Sequence, residues 1–389
     1  MDNNETTWLS SSESENDSLH WNNNTEIMNQ MAIYVFAPSS ITSVRVVSII
    51  LSVTGAVGFV GNSLIFFFLW KTKSRNPIQS SRFIKNLNLY VRSLSLSDLL
   101  SCAVSLPLLC IQMVFDVFQS GWPCKIVRYF NFIFPVITIN SLVVISLEKY
   151  MSTRTVPRTF SFSTVRKMVI CAWMFGLLFM LVPSAAFDGI RVDLNNTHFT
   201  VICRHDSNFY PFNTGFLLVP IQYVLPSIFI VYVNICLMKT VWNRRRQIGN
   251  GVSNAFKAHL RAKRIRGITL LVALTFAFLL PYFCFVANRM YTELARPQRD
   301  FATDHLIRFS GAGIAYFTSL FNFIVYFAQM KEFRVFLNKL ICRKNNEINQ
   351  SAVANGERRP YCLAFDRENV PGIAGNAIEL RQFRTLNTM

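Results

Sequence analysis

The chain has 389 residues, of which 51 % are hydrophobic and 15 % charged, with 36 phenylalanines and a formal net charge of +18. A mean hydropathy of +0.30 excludes an ordinary water-soluble globule, which has nowhere to bury that much apolar surface, whereas lipid-facing helices do. The positive charge lies on alternate loops and near the end of the sequence, so the anionic inner leaflet of a membrane, and not nucleic acid, is the expected counter-charge.

Residues 1–43 read as an extracellular, disordered and glycosylated tail. Its first 26 residues carry six acids and no Lys or Arg, and no signal peptide is visible. Such a segment can be drawn across by the first helix itself. Sequons stand at Asn4, Asn16, Asn23 and, farther on, Asn195. Seven apolar runs follow, near 44–70, 86–113, 121–150, 166–186, 212–240, 266–290 and 305–328. Each is long enough to cross a hydrocarbon core about 30 Å thick, which takes roughly 20 helical residues. The loops after runs one, three and five hold most of the Lys and Arg, including Lys71, Lys73, Arg75, Arg244, Arg245 and Arg246. Basic loops stay inside, which places the N-terminus outside and the chain in the plasma membrane. The expected fold is therefore an all-α membrane protein, a seven-transmembrane helix bundle over 44–328. Residues 329–342 extend it with a short amphipathic helix on the cytoplasmic surface, where Phe333, Phe336, Leu337 and Leu340 recur at helical spacing. Cys342 at its end is a candidate for palmitoylation, the alternative being an unmodified thiol. Residues 343–389 lack periodicity and read as a disordered cytoplasmic tail.

Polar residues inside the runs stand out because hydrocarbon penalises them. Asp98 sits in the middle of run two, with Asn62, Thr138, Thr318, Ser319 and Asn322 at comparable depths. Together they make either an inner cluster that holds water or a sodium ion, or a purely structural hydrogen-bond network. Cys124 and Cys203 are the two cysteines clearly on the oxidising side, so a disulfide is their simplest use, and two free thiols the alternative. Glu148-Lys149-Tyr150 ends run three as either a plain positive flank or a charged switch.

These landmarks together resemble the rhodopsin-like (class A) G-protein-coupled receptors over residues 44–342. Gly61-Asn62 is similar to the family's first-helix pair, and Leu94-Ser-Leu-Ser-Asp98 to its Leu-x-x-x-Asp. Cys124 and Cys203 resemble its outer disulfide. Glu148-Lys149-Tyr150 stands where Asp-Arg-Tyr is usual, with 25 residues from Cys124 to Lys149. Trp173, Pro226 and Pro281 resemble the landmarks of helices four, five and six, and Asn322-Phe-Ile-Val-Tyr326 resembles Asn-Pro-x-x-Tyr. Several positions depart from the pattern. The family's arginine is Lys149, which lacks the planar fork. The sixth-helix tryptophan is Leu279, the seventh-helix proline is Phe323, and the acid at the base of helix six is Arg261. With Lys149 facing Arg261, the resemblance implies a weakened inactive clamp and raised basal signalling.

The resemblance also implies a pocket in the outer half of the bundle, lined by Asn131, Phe132, Pro135, Gln222, Leu279, Tyr282, Phe283, Ala312 and Tyr316, aromatic and nearly uncharged. Asn131 stands where amine receptors place an acid, and Tyr316 where opsins carry their retinal lysine, which argues against both ligand classes. An extracellular peptide is favoured, a basic one if the acidic tail helps capture it. A lipid or other apolar small molecule is the alternative. The implied partner on the inner face is a heterotrimeric G protein, admitted when helix six swings about Pro281, with Glu148, Lys149, Tyr150, Arg261, Asn322 and Tyr326 as the switch. Arrestin recruitment is expected to be weak, because the final segment offers few hydroxyls beyond Ser351, Tyr361, Thr385 and Thr388. Of the competing classes, a transporter or channel favours an internal repeat that is absent. An enzyme favours a titratable constellation, whereas His20, His198, His205, His259 and His305 fall in tails, loops or helix ends. No cofactor is expected apart from a possible sodium ion at Asp98.

Overall fold

The computed structural model describes residues 32–36, 40–75, 82–118, 120–153, 160–195, 197–206, 220–248, 255–295 and 300–340. Helices dominate, because in a chain this apolar only internally hydrogen-bonded backbone is stable away from water. In order they are α1 (Ile41–Arg75), α2 (Arg82–Leu100), α3 (Leu106–Val114), α4 (Gly121–Thr153), α5 (Phe162–Phe179), α6 (Leu181–Ala185), α7 (Leu225–Ile248), α8 (Ala255–Ala295) and α9 (Phe301–Gln329). α10 covers residues 331–340. Among the described residues seven segments are long and apolar enough to cross a membrane: Ile41–Lys71, Ile84–Val114, Gly121–Ser152, Phe162–Ala185, Ile221–Thr240, Ile265–Thr292 and Phe301–Gln329. They coincide with the seven runs read from sequence to within a few residues, except that the start of run five, 212–219, lies outside the described residues.

Prolines shape two of the spans. A π-helical turn, Ser101–Ser105, joins α2 to α3, and another, Pro220–Val224, leads into α7. Proline cannot donate to the carbonyl four residues earlier. For Pro107 and Pro226 those carbonyls belong to Ala103 and Gln222, each inside a π turn, and in the first of these turns Leu106 N reaches back five residues to Ser101 O. Side chains set two helix starts: Ser161 Oγ accepts from Thr164 N at 3.1 Å, and Asp300 Oδ2 from Thr303 N at 2.9 Å. Close approach decides the α1–α9 contact. A Cβ on Gly61 would meet the Phe323 ring at 2.5 Å, so the residue that replaces the usual proline fits only because position 61 is glycine.

One end of the bundle carries a small sheet ordered β1-β3-β2. β2 (Phe187–Asn195) and β3 (His198–His205) form an antiparallel hairpin with Ile190 opposite Ile202. β1 (Ile33–Tyr34) joins β3 in parallel through Ile33↔His198 and Tyr34↔Phe199. The segment expected to be disordered through residue 43 thus has order at its end: Tyr34 donates to Asp116 Oδ2 at 2.5 Å, and α1 already begins at Ile41. Burial and the Asp116 carboxylate together push the Tyr34 hydroxyl well above the ordinary phenol range. The chain divides into two compact units, 1–331 and 332–389. Of the second, residues 332–340 are described and are helical, while Cys342 and 343–389 lie outside the described residues.

Candidate functional site

A disulfide between Cys124 and Cys203 fastens β3 to the first turn of α4. Beneath the hairpin lies a cavity of about 540 Å³, walled by α3, α4, α8, α9, β3 and the π turn before α7. One turn past Cys124, Arg128 donates from Nε to Cys203 Sγ at 3.3 Å and from Nη2 to Cys203 O at 3.1 Å, and its guanidinium carbon lies 5.4 Å from the centre of the Phe187 ring. Arg308 faces Asp304, one turn earlier on α9, at 2.5 Å. Arg204 and Arg289 also line the cavity, so that among the described residues its wall holds four arginines and one carboxylate, Asp304. His205 and His305 belong to the wall as well, so these two do more than occupy loop and helix ends. The floor is aromatic. Tyr316 donates to Asn131 Oδ1 at 3.2 Å, and the Tyr282 ring stacks on Phe278 and Tyr223 with centroids 4.6 and 5.4 Å away.

The cavity therefore corrects the expected lining in two ways. Asn131, Phe132, Tyr282, Ala312 and Tyr316 face it, whereas Pro135, Gln222, Leu279 and Phe283 do not. Pro135 and Leu279 lie about a turn deeper than Asn131 and Tyr282, below the floor. Phe283 is 72 % exposed, since the helical step of about 100° turns it away from the face that carries Tyr282, Phe285 and Arg289. The π turn changes the register before α7, so Tyr223 faces the cavity and Gln222 is buried elsewhere. The wall is also strongly basic, not nearly uncharged. Arg289 stands near the end of its apolar run, and Arg128 and Arg308 near the starts of theirs. In sequence such residues read as interfacial flanks. The signal that finds Arg128 is its offset of one helical turn from Cys124.

A buried polar network continues below the floor. Asp98 accepts from Asn322 Nδ2 at 2.7 Å and from Ser319 Oγ at 3.4 Å. Asn62 Nδ2 donates to Gly58 O and Ser319 O at 2.9 and 3.0 Å. Thr138 pairs with Ser97 at 3.0 Å instead of joining Asp98 directly. Among the described residues Asn62 Oδ1, Asn322 Oδ1 and Thr318 Oγ1 are buried acceptors without a hydrogen-bond partner. Tyr316, Ser319, Asn322 and Tyr326 follow at helical spacing along α9, so the helix wall that meets the cavity also carries the network.

At the opposite end of the bundle, Lys149 and Glu148 are 0 % and 1 % exposed, and Lys149 Nζ lies 2.6 Å from Glu148 Oε2. Glu148 Oε1 accepts from Asn86 at 3.2 Å, and the ammonium stands 5.6 Å from the centre of the Tyr90 ring. Tyr326 is fully buried and Tyr150 half-buried. The side chain of Arg261, on α8, lies outside the described residues, as do Asn4, Asn16, Asn23 and the side chain of Asn195.

The signature of the 7 transmembrane receptor (rhodopsin family) matches residues 61–326, from the α1–α9 contact to the buried Tyr326. The chain belongs to that family. Its members are receptors, not enzymes, and the seven spans make this one a multi-pass membrane protein. The receptor is 26 % identical to the Allatostatin-A receptor of Bombyx mori over 206 residues, 51 % of this chain and 54 % of the relative. It is 26 % identical to a GQ-coupled rhodopsin of Mizuhopecten yessoensis over 145 residues, 36 % and 27 % of the two chains. With Endothelin receptor type B of Canis lupus familiaris it shares 21 % identity over 331 residues, 79 % and 70 %. The receptor thus spans about half the length of its allatostatin-A relative.

Proposed function

We propose that this receptor sits in the plasma membrane with its N-terminus and hairpin outside, takes an extracellular peptide into the cavity and activates a heterotrimeric G protein at the opposite end. The observation that carries this is the continuity of α9. Its Tyr316 closes the cavity floor, its Ser319 and Asn322 grip Asp98, and its Tyr326 is buried beneath them. A ligand that repositions Tyr316 therefore acts on the same rigid element that organises the buried network, and its preference for one packing shifts the population. Relatives named for allatostatin-A and for endothelin accord with a secreted messenger. Tyr316 offers no amine to retinal, which separates this chain from the rhodopsin it also resembles.

The buried acceptors of Asn62, Asn322 and Thr318 beside Asp98 supply the oxygen-rich setting that a hard cation needs. Sodium held there favours the resting packing. The switch at the other end comprises Glu148, Lys149, Tyr150, Arg261, Asn322 and Tyr326. Asn4, Asn16, Asn23 and Asn195 accept glycans, Cys342 accepts a palmitoyl chain on the inner leaflet, and arrestin recruitment is weak. The test is a peptide library applied to cells that express the full chain alongside reporters for each G-protein class. The expected result is a response that mock cells lack and that Ala312→Trp, which fills the cavity, removes. Silence at verified surface expression, or solute flux in oocytes in place of signalling, overturns the reading.

A further inference from the structure

We infer that the inner end of the α1–α2 pair carries a binding site for one anionic phospholipid, whose phosphate is held by Arg92. The site lies apart from the cavity and does not depend on what the cavity binds. The proposed orientation supplies only the leaflet, and a test in detergent micelles does not involve it.

Arg92 is half-buried inside the span Ile84–Val114, where an unpaired cation is costly. Its guanidinium carbon stands 4.9 Å from the centre of the Trp70 ring and 5.5 Å from that of Phe66, one turn apart on α1. Ring faces attract and orient a cation, but they leave its N–H donors without a lone pair to bond. Among the described residues Arg92 has neither a hydrogen bond nor an ion pair. The sequence narrows where a counter-charge could come from. No acid occurs between Glu26 and Asp98, which removes α1, the segment that joins it to α2 and the inner half of α2 as sources. Asp98 itself is engaged by Asn322 and Ser319. Before Glu332, the one acid at the inner ends of the other spans and in their loops is Glu148, which pairs with Lys149.

Position says what fills the place. Trp70 is the next-to-last residue of the span Ile41–Lys71, so its contact sets the guanidinium at the level where hydrocarbon gives way to headgroups. Phosphate oxygens are the anions of that layer, and a guanidinium fork takes two of them at once. Lys71 is exposed beside Trp70 in sequence, and Lys85 lies seven residues before Arg92, on the same face of α2. Their field favours a headgroup of net negative charge. Exposed Val53, Val57, Val60 and Phe67 run along α1 away from Trp70, an apolar track that an acyl chain can cover and a free phosphate cannot.

The test uses the purified full chain in detergent micelles, with thermal unfolding as the readout. The probes are dioleoylphosphatidylglycerol, dioleoylphosphatidylcholine and inorganic phosphate. Phosphatidylglycerol is expected to raise the midpoint saturably by a few degrees, as a ligand specific to the folded state does, and the other two are not. In Arg92→Gln its apparent affinity falls about tenfold. Arg92→Lys keeps the charge without the planar fork, and is expected to lose part of that affinity, so it serves if Arg92→Gln folds poorly. Lys239→Gln removes an exposed charge from α7 at the same end of the bundle and is expected to change nothing. Absence of a phosphatidylglycerol shift overturns the inference, as a carboxylate of the segment after Lys331 seated on Arg92 would bring about. A shift undiminished in both Arg92 variants leaves the arginine as a brace between α1 and α2 and refutes the site. An equal loss in Lys239→Gln reduces the effect to a diffuse field and refutes it too. Equal shifts with phosphatidylcholine refute the choice of an anionic headgroup, and a shift with inorganic phosphate alone refutes the lipid.

Discussion

Lys149 and Glu148 are neighbours in sequence and partners in space, both shut away from water. Removing one member of a buried ion pair leaves the other charge uncompensated, at a cost of about 3–5 kcal/mol, while replacing both is often close to neutral. Glu148→Gln is therefore expected to lower the thermal midpoint of the purified receptor more than Glu148→Gln/Lys149→Met does. Additive losses in that cycle would show the pair to be uncoupled. The pairing also changes the expectation about basal signalling. The ammonium is held within its own helix by Glu148, so Arg261 in place of an acid does not by itself leave it loose, and Glu148→Gln is expected to raise basal output at least as much as Arg261→Glu lowers it. At Asp98 the expectation concerns salt: sodium raises the midpoint of the native chain over potassium, and Asp98→Asn erases the difference. Equal responses of the two chains to sodium would remove the cation from the account. Motif residues such as Asp98, Asn322 and Cys124 are legible in sequence because each is anomalous in its surroundings, a polar or charged group in hydrocarbon or a thiol on the oxidising side. Arg289 and Arg308 are not, since a cation at a helix end looks the same whether it faces headgroups or a cavity. The same holds for Arg92, whose guanidinium lies 5.5 and 4.9 Å from the rings of Phe66 and Trp70 on α1.

Helices announce themselves through length and apolarity, and here the spans match the runs closely. The hairpin is harder to read. Residues Ile190, Val192 and Leu194 alternate with exposed Arg191 and Asp193, which is a strand pattern, but the segment is short and sits between two membrane runs, where a loop is the default. The π turns escape periodicity altogether, because one extra residue rotates the facing side chain, and Tyr223 takes the place that helical counting gives to Gln222. Packing at Gly61 gives a test at this scale. Gly61→Leu drives atoms into the Phe323 ring, and overpacking of this kind costs about 1–3 kcal/mol. Gly61→Leu/Phe323→Ala is expected to recover part of the loss in a thermal melt, and no recovery would place the strain elsewhere. The cap of α9 gives another. Bonds from Thr303 hold the Asp300 carboxyl below its ordinary value of 3.8. A depressed carboxyl pKa contributes stability above the unfolded value and loses it as pH falls through the folded one. Amides in the first turn of α9 should therefore lose exchange protection as pH drops from about 5 to about 3, and Asp300→Asn, which still caps, should remove that pH dependence.

For the molecule as a whole, charge on alternate loops gives an orientation that the helices alone do not. Epitope tags at the two ends check it directly: the N-terminal tag is expected to stain intact cells, and the C-terminal tag only after permeabilisation. Staining of both before permeabilisation would refute the arrangement. Seven spans and their order are legible because hydrocarbon imposes one rule on every residue. The chemistry of the cavity is not legible, because it depends on which way a few long side chains turn. One last consequence follows from the short strand at Ile33–Tyr34. The phenol that clasps Asp116 holds its proton as pH rises past the ordinary phenol range, so mild alkalinity does not unlatch it. Phe36, two residues on, is part of the cavity wall. Where the cavity serves as the ligand site proposed above, the leading segment stands at its doorway, and trimming it is expected to quicken both arrival and departure of the messenger in a binding-kinetics measurement; unchanged rates would refute that role.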